Sequence, residues 1–261
     1  MGQPGSNRNR AAATPCRADK SLAGRVSLVT GSARGIGAHI VRRLAVCGAD
    51  VAVHYRSSKL QAMDIAREIR QTGRRAEVFQ ADLNETSQAR RLIQEVSETF
   101  GRLDHLIYSA GPFLVKPFGL LTDAEWDSIL NSNLKSAWAA EIAAAPWLRR
   151  SGQGRIVNIA ANSAYVRTHS IYGLAKAALI HLTEALAVEL GPHVTVNCIA
   201  PGMVDGSAPD EVTEQTVLER TPLRRLVTAP EIAEMCALIC GPAFASVTGR
   251  TIVMDGGRWI R

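Results

Sequence analysis

Apolar positions in this chain follow two alternating rhythms. Short apolar runs bounded by glycine or polar residues occur at "RVSLVT" (25–30), "DVAVHY" (50–55), "RAEVFQ" (75–80), "LDHLIYS" (103–109), "GRIVNIAA" (154–161), "HVTVNCIA" (193–200) and "GRTIVMDGG" (249–257). Runs of this length without strict polar alternation predict strands buried on both faces. Between them the spacing becomes helical: "IGAHIVRRLAVCG", an amphipathic stretch over 59–72, and another over about 86–100, stopped by Gly48, Gly73 and Gly101. Thr122 with Glu125, and Thr228 with Glu231, have the spacing of capping boxes, in which each side chain satisfies an orphan backbone donor at a helix start.

Strands alternating with helices in this way imply βαβ crossovers. The predicted fold is α/β: a single-domain, doubly wound (Rossmann-like), mostly parallel seven-stranded sheet with helices on both faces, spanning residues 23–261. Residues 1–22 have no hydrophobic period and read as a disordered tail. "MGQPGS" matches an N-myristoylation pattern and the Arg-rich start faintly resembles a transit peptide, but both patterns arise often by chance.

Composition narrows the function classes. Apolar residues make up 46% and charged residues 21%, as in ordinary globular proteins, and no apolar run reads as long enough to cross a bilayer. Of the net charge of +6, half lies in the first twenty residues. The remainder forms no basic stripe of the kind that binds nucleic acid. Cys16, Cys47, Cys198, Cys236 and Cys240 sit mostly in apolar surroundings and predict reduced core residues in a cytoplasmic setting. Cys236 and Cys240 are one helical turn apart, but no second pair completes a metal site.

Two clusters carry chemistry. "TGSARGIG" (30–37) joins the first strand to the first helix, and its Gly31, Gly35 and Gly37 allow a sharp turn and close backbone approach to a pyrophosphate. An NAD-selective site would place an acid at the end of the second strand. Here stand His54, Tyr55, Arg56, Ser57 and Ser58; a guanidinium and hydroxyls suit a 2′-phosphate, and Arg34 can reach the same group. NADP(H) is the expected cofactor. The second cluster is Tyr172 and Lys176, four apart on one helix face. A nearby ammonium is expected to lower the phenol's pKa, making Tyr172 a general acid for an atom receiving hydride.

Together these motifs resemble the short-chain dehydrogenase/reductase family over roughly residues 23–261. Tyr172 and Lys176 match its Y-x-x-x-K, and Thr30–Gly37 its T-G-x-x-x-G-x-G. The resemblance implies catalysis by Tyr172, Lys176 and Asn133, the last supporting a proton-relay water. It implies cofactor contacts at Gly31, Ser32, Arg34, Gly35, Ile36 and Gly37, at Tyr55, Arg56 and Ser57, and at Asp82 and Leu83 in "ADL", where Asp82 meets the adenine. Further contacts are implied at Ser109, Ala110 and Gly111 in "YSAG", at Pro201 and Gly202 in "IAPG", at Val204, and at Tyr172 and Lys176 themselves. It implies a small-molecule substrate and a homotetramer, the latter consistent with small residues at Ala175, Ala178 and Ala185.

Three positions depart from the family pattern. Ser109 replaces an asparagine, Gly206 stands where a threonine is common, and Ala161 occupies the place of the substrate-orienting serine, for which Ser163 is the substitute to test. Two substrate branches stay open: ketones, including 3-oxoacyl thioesters, and pteridines. "VHYRSS", "SNLKSAW" and Phe113, placed to stack on a flat ring, favour the pteridine branch. Met203, Tyr165 and Phe113 are expected to make the pocket partly apolar, beneath an acidic loop over about 203–226. Ala161 also motivates an alternative from another class, a non-catalytic NADP(H)-binding regulator on the same fold.

Overall fold

The computed structural model describes residues 20–165 and 170–260. Seven strands form one sheet: β1 (Val26–Val29), β2 (Asp50–Tyr55), β3 (Ala76–Gln80), β4 (His105–Tyr108), β5 (Gly154–Ile159), β6 (Val194–Pro201) and β7 (Thr251–Met254). The spatial order is β3-β2-β1-β4-β5-β6-β7, and every pairing is parallel. The chain winds outward from β1 to β3, then returns to pair β4 on the other side of β1. The β1/β4 boundary is therefore the topological switch point, where a crevice opens beyond the carboxyl ends of the strands.

Helices α1 (Gly35–Val46), α2 (Lys59–Gln71), α3 (Thr86–Phe100), α4 (Asp123–Leu130), α5 (Ser136–Arg150), α6 (Ile171–Leu190), α7 (Glu211–Glu219) and α8 (Ala229–Cys240) complete the framework. The apolar stripes of α1, α2 and α8 bury against one face of the sheet and those of α3, α5 and α6 against the other. Both expected capping boxes are formed, Thr122 with Glu125 on α4 and Thr228 with Glu231 on α8. Packing begins before the expected domain start: Leu22 is 2% exposed and its N–H donates to the Cys47 carbonyl. The rest of the expected tail, residues 1–19, lies outside the described residues.

Helix α6 corrects two expectations. An 18-residue stretch of this 20-residue helix has a mean hydropathy of 1.4, long and apolar enough in principle to span a membrane, although half of that stretch is buried inside this fold. Ala175, expected on an outward small-residue face, points inward and packs with Ile129 and Ile171. Ala185 and Val188 do face outward, beside Leu174, His181, Glu184 and Glu189.

At the end of the sheet opposite the crevice, Asp104 joins three strands. Its N–H donates to the Val26 carbonyl and its own carbonyl accepts from Arg155 N–H. Its fully buried carboxylate accepts from Val26 N–H at 2.8 Å, from Arg25 at 2.9 Å, and from two nitrogens of Arg102 at 2.7 and 2.8 Å.

A second buried acid lies between α5, β5 and α6. Glu141 is fully buried, and neither of its oxygens, nor Oδ1 of neighbouring Asn158, is satisfied by ordinary hydrogen-bond geometry among the described residues. Asn158 Nδ2 donates to Thr183 Oγ1 at 3.0 Å. Burial, only partly offset by the Asn158 amide, pushes the Glu141 pKa up to about 7, and a proton on the carboxyl relieves this surplus of acceptors. A folded-state pKa above the unfolded value of 4.5 contributes stability that is complete below the unfolded value and lost as pH rises through the folded one. Thermal melts between pH 5 and pH 8 are therefore expected to show wild type losing up to about 3 kcal/mol relative to Glu141→Gln, which keeps a donor and never ionises. A pH-independent difference between the two proteins would show that Glu141 does not titrate in this range.

Candidate active site

The crevice at the switch point is a cleft of about 1180 Å³. At one end the glycine turn carries the chain from β1 into α1. Gly31 and Gly35 have φ of +67° and +56°, which side-chain-bearing residues adopt only with strain. A Cβ at Gly37 would lie 2.6 Å from the Gly31 carbonyl oxygen, so only glycine permits the close packing of turn and helix. Arg34 caps α1 without a side-chain hydrogen bond, leaving first-turn N–H groups directed at the cleft, where an anion is favoured.

His54 sets the shape of this turn. Its Nδ1 accepts from Gly31 N–H at 2.9 Å and its Nε2 faces the Ala81 carbonyl at 3.1 Å. Both bonds require the neutral ring protonated on Nε2, and burial pushes its pKa down to about 4. Sequence reading noted His54 only as a non-acid; its place at the inward end of an otherwise apolar strand was the available signal. Ser32 differs from its expected role. It is buried, does not line the cleft, and uses its hydroxyl to donate to the Val29 carbonyl and accept from His54 N–H. The Thr30 hydroxyl accepts from Ser109 N–H and Ala110 N–H at 2.9 and 3.0 Å, tying β1 to β4 where the family asparagine is missing.

The other expected cofactor positions converge. Gly31, Arg34, Gly35, Ile36, Gly37, Tyr55, Arg56, Ser57, Asp82, Leu83, Ser109, Ala110, Gly111, Pro201, Gly202 and Val204 all line the cleft. Neither Arg34 nor Arg56 forms an ion pair among the described residues. A glycine cradle, unspent helix N–H groups and two unpaired guanidinium groups, Arg34 in the glycine turn and Arg56 just beyond β2, fit a phosphorylated dinucleotide. Arg56→Ala is expected to raise the KM for NADPH by about 10- to 100-fold, the worth of a charge-assisted hydrogen bond, and to leave the KM for NADH nearly unchanged. Steady-state kinetics with both cofactors checks this.

At the other end, Ser170 caps α6 by accepting from Gly173 N–H, and the first turns of that helix present Tyr172 and Lys176 to the cleft. Lys176 Nζ donates to the Ile159 carbonyl at 2.8 Å and stands 5.5 Å from the centroid of the Tyr172 ring. The expected depression of the phenol pKa is not what the geometry gives. Burial pushes Tyr172 up to about 12, and pushes Lys176 down to about 8. The ammonium lies against the ring and is bonded to a carbonyl, so desolvation dominates and the phenol holds its proton at neutral pH.

Asn133 lies behind the cleft rather than in its wall. It sits in a π-helical turn (Asn131–Lys135) between α4 and α5, with Nδ2 donating to the Pro112 and Ile129 carbonyls. Its Oδ1 is buried without a donor and presses against Gly111, where a Cβ would collide with it. Ser163 and Ala161 both line the cleft, as do Met203 and Phe113. Phe113 meets Tyr172 edge-on at 4.9 Å between centroids. Tyr165, expected in the pocket, turns away and packs on Trp259 at 4.7 Å. The acidic loop does border the cleft, through Asp205, Pro209, Thr213 and Val217. Residues 166–169, part of the segment between Ser163 and Tyr172, lie outside the described residues.

Comparisons with known proteins agree with this geometry. A family profile described as enoyl-(acyl carrier protein) reductase matches residues 31–258. A hydroxynaphthalene reductase-like protein from Metarhizium guizhouense is 34% identical over 258 residues, covering 91% of this chain and 96% of the relative. A 3-oxoacyl-[acyl-carrier-protein] reductase from Aggregatibacter actinomycetemcomitans is 36% identical over 235 residues, covering 88% and 97%. A short-chain dehydrogenase from Burkholderia cenocepacia, crystallised with NADP, superposes with a TM-score of 0.86 at 36% identity, covering 91% and 99%.

Proposed function

The chain belongs to the short-chain dehydrogenase/reductase family, and from that premise we propose that it is an NADPH-dependent reductase of a small ketone, with Tyr172 as proton donor. The observation that carries this reading is the Tyr172 phenol lining the cleft with the buried Lys176 ammonium 5.5 Å from its ring centroid, in surroundings whose loss of water keeps the phenol protonated. Bound NADPH supplies the hydride. The chain's own residues do the rest: the glycine turn and the first turn of α1 hold the pyrophosphate, while Arg34 and Arg56 hold the 2′-phosphate. Tyr172 gives its proton to the carbonyl oxygen, and Lys176, with a pKa of about 8, keeps positive charge beside the forming phenolate at neutral pH. Cofactor binding alone does not require a phenol held beside a buried ammonium for proton transfer, which favours the enzyme over the non-catalytic regulator.

Ketone reduction is supported by the reductases among the relatives. The pteridine branch keeps one structural support, the Phe113 ring standing beside Tyr172 at the mouth of the cleft, where a flat heterocycle could stack. Initial rates of NADPH oxidation with a 3-oxoacyl thioester, a bicyclic aromatic ketone and a dihydropterin test the reading. Turnover of either ketone with no turnover of the pterin supports it, and pterin turnover alone replaces it. We further propose a homo-oligomer, expected to be a tetramer, formed through the outward faces of α5 and α6. Trp138 is 41% and Val188 85% exposed there, and sedimentation velocity gives the state directly.

A further inference from the structure

The turn that follows β7 brings to the cleft a cation, Arg258, to which the reading above assigns no role. Met254 at the end of β7 pairs with Pro201, so the next residues run beside the Pro201–Gly202 turn. A Cβ at Gly202 would lie 2.8 Å from Cβ of Asp255. Asp255 is 8% exposed and organises the turn. Its Oδ1 accepts from Gly257 N–H at 3.0 Å, and its Oδ2 from Trp259 N–H at 2.9 Å and Asn162 Nδ2 at 3.3 Å. Gly256 and Gly257 have φ of +68° and +88° and pack against Thr221 and Pro222, while Trp259 is held by Tyr165. The backbone of residues 255–259 is thus braced from several sides, and Arg258 lines the cleft.

The Arg258 guanidinium has no hydrogen bond or ion pair among the described residues. Asp255, its nearest acid in sequence, is occupied by the turn and by Asn162. Phe113, Val115 and Met203 add apolar surface to the lining of the same cleft, and Phe113 stands against Tyr172. An unpaired guanidinium on a braced backbone suits an oxyanion, which it can grip with two parallel N–H donors. The two arginines assigned to the 2′-phosphate follow β1 (Arg34) and β2 (Arg56), on the opposite side of the β1/β4 switch point from β7.

We propose that Arg258 determines specificity by binding an oxyanion carried by the ketone substrate, so that the preferred substrates are keto acids or phosphorylated acyl thioesters rather than neutral ketones. The proposal rests on the reductase reading above. Asp205 lines the same cleft and offers the competing role, in which Arg258 closes the loop by pairing with it.

The test uses two matched pairs: 4-oxopentanoate against its methyl ester, and a 3-oxoacyl phosphopantetheine thioester against the N-acetylcysteamine thioester. In Arg258→Ala the ratio of kcat/KM, charged member over neutral member, is expected to fall by about 10- to 100-fold in at least one pair, with partial recovery in Arg258→Lys. Whichever pair responds identifies carboxylate or phosphate. An unchanged ratio in both pairs overturns the proposal and leaves the reductase reading intact, as does the same loss in Asp205→Ala or a raised KM for NADPH. Binding is read independently of turnover by calorimetric titration of 4-oxopentanoate and of phosphopantetheine into the NADPH complex. Weaker binding of one of them to Arg258→Ala supports the proposal even if neither ketone is reduced, and equal binding of both to the two proteins overturns it.

Discussion

Tyr172→Phe is expected to reduce kcat for ketone reduction by about 10²- to 10⁴-fold, the usual worth of a positioned general acid, with little change in NADPH affinity. The substitution removes one oxygen atom. The ring remains, so its edge contact with Phe113 and its place against Lys176 are kept, and the Lys176 bond to Ile159 does not involve the phenol. What disappears is the phenol hydroxyl, whose proton is held by burial. Stopped-flow or initial-rate measurements give the kinetic loss, and quenching of NADPH fluorescence gives the affinity. Activity within tenfold of wild type would exclude Tyr172 as the donor and turn attention to Ser163. The pH profile carries a second signature. Tyr172 stays protonated across neutral pH, whereas Lys176 loses its charge as pH rises through about 8, so wild-type reduction is expected to decline on that side first.

Asp104→Ala is expected to cost about 3 kcal/mol of stability, at the low end for breaking a buried ion pair. The melting temperature should fall by roughly 6 to 10 °C. The low end applies because Arg25 and Arg102 keep 25% and 45% of their side chains exposed and can turn toward water, while Val26 N–H is left without its acceptor. Burial alone would raise the Asp104 pKa, but bonds from Arg102, Val26 and Arg25 outweigh it and hold the carboxyl below the usual carboxylate range. A depressed pKa contributes stability that is present above the unfolded value and lost as pH falls through the folded one. The difference in melting temperature between wild type and variant is therefore largest near neutral pH and shrinks on strong acidification. A constant difference down to acid pH would mean that packing, not charge, is what Asp104 provides.

Much of this architecture could be read from local sequence. The strands and helices follow from apolar spacing because the central strands are buried on both faces and most helices on one. The glycine turn was legible because Gly31, Gly35 and Gly37 meet backbone demands that are set within a few residues. The four-residue interval placed Tyr172 and Lys176 together for the same reason. What sequence did not carry was direction and surroundings. Ala175 faces Ile129, Ser32 faces β1 and β2, and Tyr165 faces Trp259, each through partners distant in the chain. The pKa of Tyr172 was misjudged because spacing reports the neighbouring charge but not the loss of water, and here the loss of water dominates. Arg258 had no place in the sequence reading, since its relation to Gly202 depends on the pairing of β6 with β7.

The imidazole of His54 joins the phosphate turn to the strand end beneath the adenine position, one nitrogen on Gly31 and the other on Ala81. The mould for the dinucleotide is therefore cast by the sheet itself. Little of the binding free energy goes into freezing the turn, and association need not wait for a loop to find its shape. With a ring pKa of about 4, acid protonates Nδ1 and sets two N–H donors face to face at Gly31. Affinity for the cofactor is the property most exposed to that change, so a mildly acid-treated protein would first lose its nucleotide and only later its fold.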